Sequence, residues 1–172
     1  MSRSTLHRLA HDGRLERIAR GIYLPVDTAS GHWEWIEAAS RRPEATICLT
    51  SALALHDLTD EIPTELNVAI HREARIPAGT SAIRWHRFNT ATFDLGRDEI
   101  PIPDTDQTIA LYSPERSIVD AFRMRGTLGY ELPLEALKEW LRRGGKPTGL
   151  VTLAKQIPRS QGPLLAALET LT

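Results

Sequence analysis

The sequence has little of what several common protein classes depend on. One cysteine, Cys48, among 172 residues excludes a disulfide framework and a metal cluster held by cysteines alone. No apolar run approaches the roughly 18 residues that a membrane-spanning helix needs, so we expect no membrane contact. The formal net charge of −1 excludes a uniformly cationic nucleic-acid-binding coat and confines any such contact to a local patch.

Lysine is also scarce, and this bears on the classes of enzyme. Lys138, Lys146 and Lys155 all lie in the C-terminal third, and none is placed like the lysine of an Asp, Glu-x-Lys nuclease site. A phosphate loop ending in Gly-Lys-Ser/Thr and a Gly-x-Ser-x-Gly nucleophile elbow are absent from the sequence. We therefore expect no catalytic residues and no cofactor.

The remaining composition is that of a globular protein, with 41% hydrophobic and 25% charged residues, both near the usual values. The length suits one domain, or one domain with a small appendage. The opening segment MSRSTLHRLAHDG has no apolar signal core, so we expect the protein in the cytoplasm.

Positive charge is concentrated at the N-terminus. Residues 1–25 hold five arginines against two carboxylates, a charge of +3, and since the whole chain carries −1, residues 26–172 carry −4. A basic head on an acidic body is a pattern typical of nucleic-acid contact. An ordinary solvated basic end is the alternative.

The basic head begins with an amphipathic helix. Ser2 is a good N-cap and Gly13 a good C-cap, and Leu6 and Leu9 recur at helical spacing between them. The opposite side of this helix is polar and basic, with Arg3, Ser4, His7 and Arg8.

His7 and His11 also have the i,i+4 spacing of metal ligands. They lack the glutamate that a zinc-protease helix carries after its first histidine, so we expect no metal.

A short β-ribbon follows the helix. Apolar residues lie on both sides of Arg20-Gly21, which predicts two strands joined by a tight turn. A polar basic helix followed by a basic ribbon is what a winged helix presents to DNA, with the helix in the major groove and the ribbon against phosphates. We expect the helical residues to meet bases or nearby phosphates and the ribbon arginines to fix the position on the duplex. The expected DNA-binding residues are Arg3, Ser4, His7, Arg8, Arg14, Arg17 and Arg20.

The rest of the chain predicts an α+β domain after a short linker at 27–31. Helical spacing covers 32–42 and 49–58, alternation predicts strands at 65–71 and 83–88, and a hairpin is predicted from 97–102 and 107–112. Helices are expected to begin at Ser113 and Pro133, with further helical pieces at 148–157 and 163–171. Strands in the middle and helices afterwards favour the α+β class.

Two features of this domain permit a catalytic interpretation. Asp104 and Asp106 resemble the metal-binding pair of a nucleotidyltransferase by their spacing, although Pro103 favours a turn there. Cys48 lies in an apolar run, which favours a small buried hydrophobic residue over a nucleophile. The spacing of Asp104 and Asp106 keeps a metal-dependent nucleic-acid enzyme as a competing hypothesis.

Four segments, in order, resemble the AbiEi family, the antitoxins of type IV toxin–antitoxin systems. They are SRSTLHRLAHDGRLERIARGIYLP at 2–25, ICLTSALALHDLTDEIPTELNVAI at 47–70, IRWHRF at 83–88 and LYSPERSIVDAFRMRGTLGYELPLEALKEWLRRG at 111–144. The resemblance implies that residues 1–26 are a partial winged helix, consisting of a recognition helix and a β-wing. It implies that residues 27–172 are the antitoxin domain.

The resemblance also implies a function. Family members bind inverted repeats of double-stranded DNA in their own promoter and repress their operon. They counter a neighbouring nucleotidyltransferase-type toxin, usually without a stable complex. About two helices would precede the recognition helix, and codons upstream of Met1 would supply them. The alternative is a protein-interaction module that acts as antitoxin only and has lost DNA binding.

Overall fold

The computed structural model describes residues 8, 11–13, 32–80 and 82–172, together with the backbone of two strands at 15–19 and 22–25. The two strands, β1 (Leu15–Ala19) and β2 (Ile22–Pro25), pair antiparallel. Leu15 lies opposite Pro25 and Arg17 opposite Tyr23, with an irregularity in the pairing between Arg17 and Ala19. The ribbon predicted around Arg20-Gly21 is confirmed, and it lies beside the first helix of the larger domain.

A five-stranded mixed sheet forms the frame of residues 32–172. Its strands are β3 (Thr46–Ile47), β4 (Leu66–His71), β5 (Ile83–Phe88), β6 (Arg97–Pro101) and β7 (Thr108–Tyr112), in the order β5-β4-β3-β7-β6. The pairs β4–β5 and β3–β7 are parallel, whereas β3–β4 and β6–β7 are antiparallel. The predicted strands and the predicted hairpin are therefore present.

Charged side chains occupy both edge strands of this sheet. On β5, Arg84 and Arg87 are exposed while Ile83 and Phe88 are buried. β6 reads Arg-Asp-Glu-Ile-Pro, so charge and a terminal proline mark the other edge. Such residues discourage pairing with a strand of another chain.

Helices cover both faces of the sheet. They are α1 (Trp33–Arg41), α2 (Leu49–Leu55), α3 (Pro114–Arg123), α4 (Arg125–Leu128), α5 (Glu131–Arg142), α6 (Pro147–Gln156) and α7 (Gln161–Leu171), and a 3₁₀ turn spans Thr90–Thr92. Among the residues that the structure describes, no helix has both the length and the apolar character required to cross a lipid bilayer.

Three hydrophobic clusters hold these layers together. α1 packs on one face of the sheet, where Trp35 and Ile36 meet Ile47, Val68 and Ile109. A second cluster lies on the other face and contains Cys48, Leu49, Ala69, Phe88, Phe93 and Tyr112. α3 is central to the third cluster, since it contacts α2 and every later helix. That cluster includes Leu53, Ile118, Phe122, Leu137, Trp140, Leu150 and Leu164.

The expected α+β class is confirmed for the larger domain, with two local corrections. The central strand β3 was not predicted, because two residues buried on both faces show no alternating pattern. The helix expected to open at Pro133 begins at Glu131. Proline is tolerated there because the first-turn N–H groups of a helix have no intrahelical partner.

Gly145 and Gly149 provide a matched test of packing at the α5–α6 connection. A Cβ on Gly145 would overlap the indole ring of Trp140, whereas a Cβ on Gly149 meets open space. Trp140 is buried in the helical cluster, so overpacking should lower the free energy of unfolding of Gly145→Ala by about 1–3 kcal/mol. Gly149→Ala, inside α6, should raise it by up to about 1 kcal/mol. Urea unfolding measures both, and equal shifts in the two variants would contradict this packing.

Candidate nucleic-acid interface and the buried arginine cluster

The end of the N-terminal helix is the part of the predicted interface whose side chains are described. Residues 8 and 11 are helical, and the Asp12 N–H donates to the carbonyl oxygen of Arg8 at 2.9 Å. Gly13 has a φ of +72°, the left-handed conformation in which glycine commonly ends a helix. The predicted helix end is confirmed. Arg8, His11 and Asp12 are exposed, so the Arg8 guanidinium is accessible to a partner.

The remaining residues of the predicted DNA-binding set are only partly covered. Arg17 lies in β1, where the structure describes the backbone alone. The others, Arg3, Ser4, His7, Arg14 and Arg20, lie outside the described residues. Contact of all seven residues with DNA stays a prediction, as does the boundary between residues 26 and 27.

Inside the larger domain, α3 carries a buried ionic cluster that the sequence reasoning missed. The Arg116 Nε lies 2.9 Å from Oδ2 of Asp120, and the Arg123 guanidinium donates to Oδ1 of the same carboxylate at 3.2 Å. The exposed fractions of the Arg116 and Asp120 side chains are 1% and 0%. We call these three residues the arginine–aspartate cluster. Their i,i+4 and i,i+3 spacing beside Ile118 and Val119 was the available sequence signal.

The start of α3 sets the direction of this cluster. Ser113 is the N-cap, and its hydroxyl oxygen accepts the Arg116 N–H at 3.1 Å, as a helix N-terminus requires. Gly96 lies directly against this turn, with a φ of +68°. A Cβ there would come within 2.9 Å of both Arg116 Cβ and Ser113 Oγ. The loop before β6 therefore requires glycine on both steric and conformational grounds.

Carbonyl groups and aromatic rings complete the surroundings of Arg116. Its Nη1 donates to the carbonyl oxygens of Thr92 and Leu95 at 2.6 and 2.8 Å. Its Cζ lies 4.3 Å from the ring centroid of Tyr112, a favourable cation–π distance. Burial raises the pKa of the Tyr112 phenol, which stays protonated and donates to the carbonyl of Phe93 at 2.7 Å.

The cluster satisfies the conditions for burying charge. Burial raises the pKa of the Asp120 carboxyl, while the two neighbouring guanidinium groups lower it. Burial is the larger effect, so the direct contacts offset only part of the desolvation cost, although every charged group in the cluster has a hydrogen-bonded partner.

A second polar network joins β4, β5 and α2. The Ser51 hydroxyl accepts from the backbone and side-chain N–H groups of Asn67 at 2.9 and 3.1 Å. Oδ1 of Asn67 lies 2.9 Å from Nε2 of His86, and the oxygen requires Nε2 to be the donor. Burial and then the charges of Arg84 and Arg123 lower the pKa of His86 to about 4.

Of the residues considered for catalysis, Cys48 lies near the arginine–aspartate cluster, whose three charged groups all act on its thiol. Asp104 and Asp106 are exposed in the turn that joins β6 to β7, and Asp104 has a φ of +61°. The turn predicted from Pro103 is confirmed. Cys48 is fully buried, and burial raises the pKa of its thiol well above the ordinary value, as fits the packing role predicted for it. Within the described ranges, no three His, Cys, Asp or Glu side chains come together as a metal-ligand set.

Comparison with known families bears on the N-terminal segment. Residues 1–26 match the family described as "transcriptional regulator, AbiEi antitoxin". The resemblance predicted from the sequence is confirmed over this segment, and it points to a transcriptional regulator of the antitoxin class. No curated protein matches the chain.

The lowered pKa of His86 predicts a pH dependence of stability. The folded state keeps His86 neutral down to about pH 4, whereas the unfolded chain protonates near its ordinary value of 6.5. The contribution of His86 is therefore complete above about pH 6.5 and is lost as the pH falls towards 4. Urea unfolding at pH 7.5 and pH 5 should show a smaller loss of stability in His86→Gln than in the wild type.

The control for this measurement is His11→Gln, because His11 is exposed in the N-terminal segment. This variant should lose as much stability as the wild type between the two pH values. An equal loss in the wild type and His86→Gln would show that His86 has no such role.

Proposed function

We propose that the protein is an antitoxin that represses its own operon by binding inverted repeats of double-stranded DNA in its promoter. Residues 27–172 would counter a nucleotidyltransferase-type toxin without a stable complex. The observation that carries the proposal is the family match at residues 1–26, the segment that also holds the excess of arginine. We further propose that the protein acts by binding and not by catalysis.

The described part of the N-terminal segment supports a DNA-binding role. An exposed arginine lies one turn before the end of a helix, and a two-stranded ribbon follows directly. A helix of this kind fits the major groove, and a ribbon beside it can follow the phosphate backbone. In the proposal, Arg8 reads bases and Arg17 fixes the position on phosphates. Because the proposed target is the operon's own DNA, the proposed location is the cytoplasm.

Base contact and phosphate contact predict different outcomes for two arginine variants. Arg8→Ala should weaken binding to the promoter repeat by about 1–3 kcal/mol and leave binding to a scrambled duplex nearly unchanged. Arg17→Ala should weaken both duplexes alike and reduce the salt slope by about 1. Fluorescence anisotropy titrations at several salt concentrations measure both effects.

Lys155→Ala is the matched control, since Lys155 is an exposed cation in α6, distant in sequence from the ribbon. It should leave both affinities unchanged. If the wild type binds its promoter no better than scrambled DNA, and if affinity does not depend on salt, the repressor proposal is wrong. The opposite pattern in the two arginine variants would show that their roles are reversed.

A second candidate function is that of an antitoxin without DNA binding. Its support is that the hydrophobic clusters of the larger domain are built from residues between Trp35 and Leu171. The full-length chain carrying Arg8→Ala, Arg17→Ala and Arg20→Ala distinguishes the two candidates. If the wild type represses the promoter and the triple variant neutralises the toxin without repressing, the regulator proposal is supported. Neutralisation without repression by the wild type would favour this second candidate.

A further inference from the structure

A cavity lies where the two parallel strands β4 and β5 end. It has a volume of about 220 Å³, and four arginines line it: Arg72, Arg116, Arg123 and Arg159. Arg72 directly follows β4, and Phe88, the last residue of β5, also lines the cavity. Loops at the carboxyl ends of parallel strands diverge from the sheet and commonly leave room for a ligand.

The charges around this cavity are not balanced. None of its lining residues is acidic, and the nearest bonded carboxylate is that of Asp120, which pairs with Arg116 and Arg123. Glu73 does not line the cavity, but its carboxylate accepts from the Thr90 hydroxyl and interacts with the charge of Arg72, so four guanidinium groups face two nearby carboxylates and a surplus of two positive charges remains. Within the described part of the chain, the Arg72 and Arg159 guanidinium groups form no ion pair or hydrogen bond with a side chain or carbonyl.

The environment strengthens the effect of these charges. Phe88 and Ile157 line the cavity and are themselves 1% and 3% exposed. Apolar walls lower the local dielectric constant, so an anion in the cavity would interact more strongly with the arginines than it would at an open surface.

The loop that carries Arg159 has a fixed conformation. Arg159 has a φ of +66°, which is uncommon for a residue with a Cβ. Nη1 of Arg125 donates to its carbonyl oxygen at 3.2 Å, and the buried Ser160 hydroxyl donates to the carbonyl of Ile157 at 2.7 Å. Backbone conformations of this kind persist where the surrounding contacts impose them, and they cluster at ligand sites.

We propose that this cavity binds a compact phosphate-bearing ligand, namely a phosphate or pyrophosphate group, either free or at the end of a small phosphorylated metabolite such as a nucleoside triphosphate. Guanidinium groups match phosphate oxygens in geometry, and several converging arginines suit a polyanion better than a single carboxylate. The arginines surround one small volume and do not form a row, so the site does not resemble a track for duplex DNA. The proposal uses only residues of the larger domain and does not depend on the proposed DNA binding.

Calorimetric titration of the full-length protein with pyrophosphate, phosphate and ATP tests the site. The test variant is Arg72→Gln with Arg159→Gln, since both residues are exposed and neither belongs to the arginine–aspartate cluster. The matched control is Arg87→Gln, an exposed arginine on β5 that does not line the cavity. Circular dichroism and urea unfolding establish that both variants are folded.

The wild type should bind pyrophosphate, and the double variant should bind it about a hundredfold more weakly, roughly tenfold for each charged hydrogen bond lost. Arg87→Gln should bind like the wild type. Equal affinities for pyrophosphate and ATP would identify the phosphate group itself as the ligand, and tighter binding of ATP would identify a nucleotide. Absence of binding at millimolar concentration, or binding that the double variant retains, would overturn the proposal. The proposal would also be wrong if the double variant lost affinity for duplex DNA alone and bound the phosphate compounds as the wild type does.

Discussion

Asp120 accepts hydrogen bonds from Arg116 and Arg123 in the interior of the protein, and the larger domain is arranged around this contact. α3, which carries all three residues, contacts α2 and all the later helices. Through Arg116 the same helix is bound to the carbonyl groups of Thr92 and Leu95. An isolated charge could not be buried at this depth, so the loop before β6, the N-cap of α3 and the aromatic rings beneath it must all keep their positions together.

The same cluster connects the fold to the distribution of charge. The single carboxylate of Asp120 cannot neutralise the charge of both guanidinium groups. Arg116 and Arg123 therefore hold the structure together and still contribute positive charge to the cavity beside β4 and β5. Residues 26–172 carry a formal charge of −4 in total, yet this cavity is basic. The proposed DNA contact at the N-terminus and the proposed phosphate site thus rest on local concentrations of arginine, and net charge indicates neither of them.

Local patterns in the sequence predicted much of the fold. Alternation identified β4, the turn at Pro103 identified the hairpin of β6 and β7, and Ser113-Pro114 identified the start of α3 with its cap. The pairing order of the strands, the short β3 and the parallel alignment of β4 with β5 depend on contacts between distant residues, which no local period encodes. The buried cluster was missed for the same reason. In the sequence, Arg116, Asp120 and Arg123 have the spacing of an ordinary charged helix face. Only the structure shows that the rings of Tyr112 and Phe88 cover the two guanidinium groups. At the N-terminus, the helix end at Gly13 and the ribbon were predictable because glycine and strand alternation act locally.

A double-mutant cycle across the Arg116–Asp120 pair tests this account most directly. Arg116→Met removes one of the two guanidinium partners of the buried Asp120, and Asp120→Leu leaves Arg116 buried without a carboxylate, so each should lower the free energy of unfolding, by up to about 3–5 kcal/mol. In the double variant neither member of the Arg116–Asp120 pair is left without the other, and Arg123 loses its carboxylate just as it does in Asp120→Leu, so the cost of the double variant should fall short of the sum of the two single costs by at least about 1 kcal/mol. Costs that add to within about 0.5 kcal/mol, in urea unfolding at neutral pH, would contradict the central place given to this ion pair.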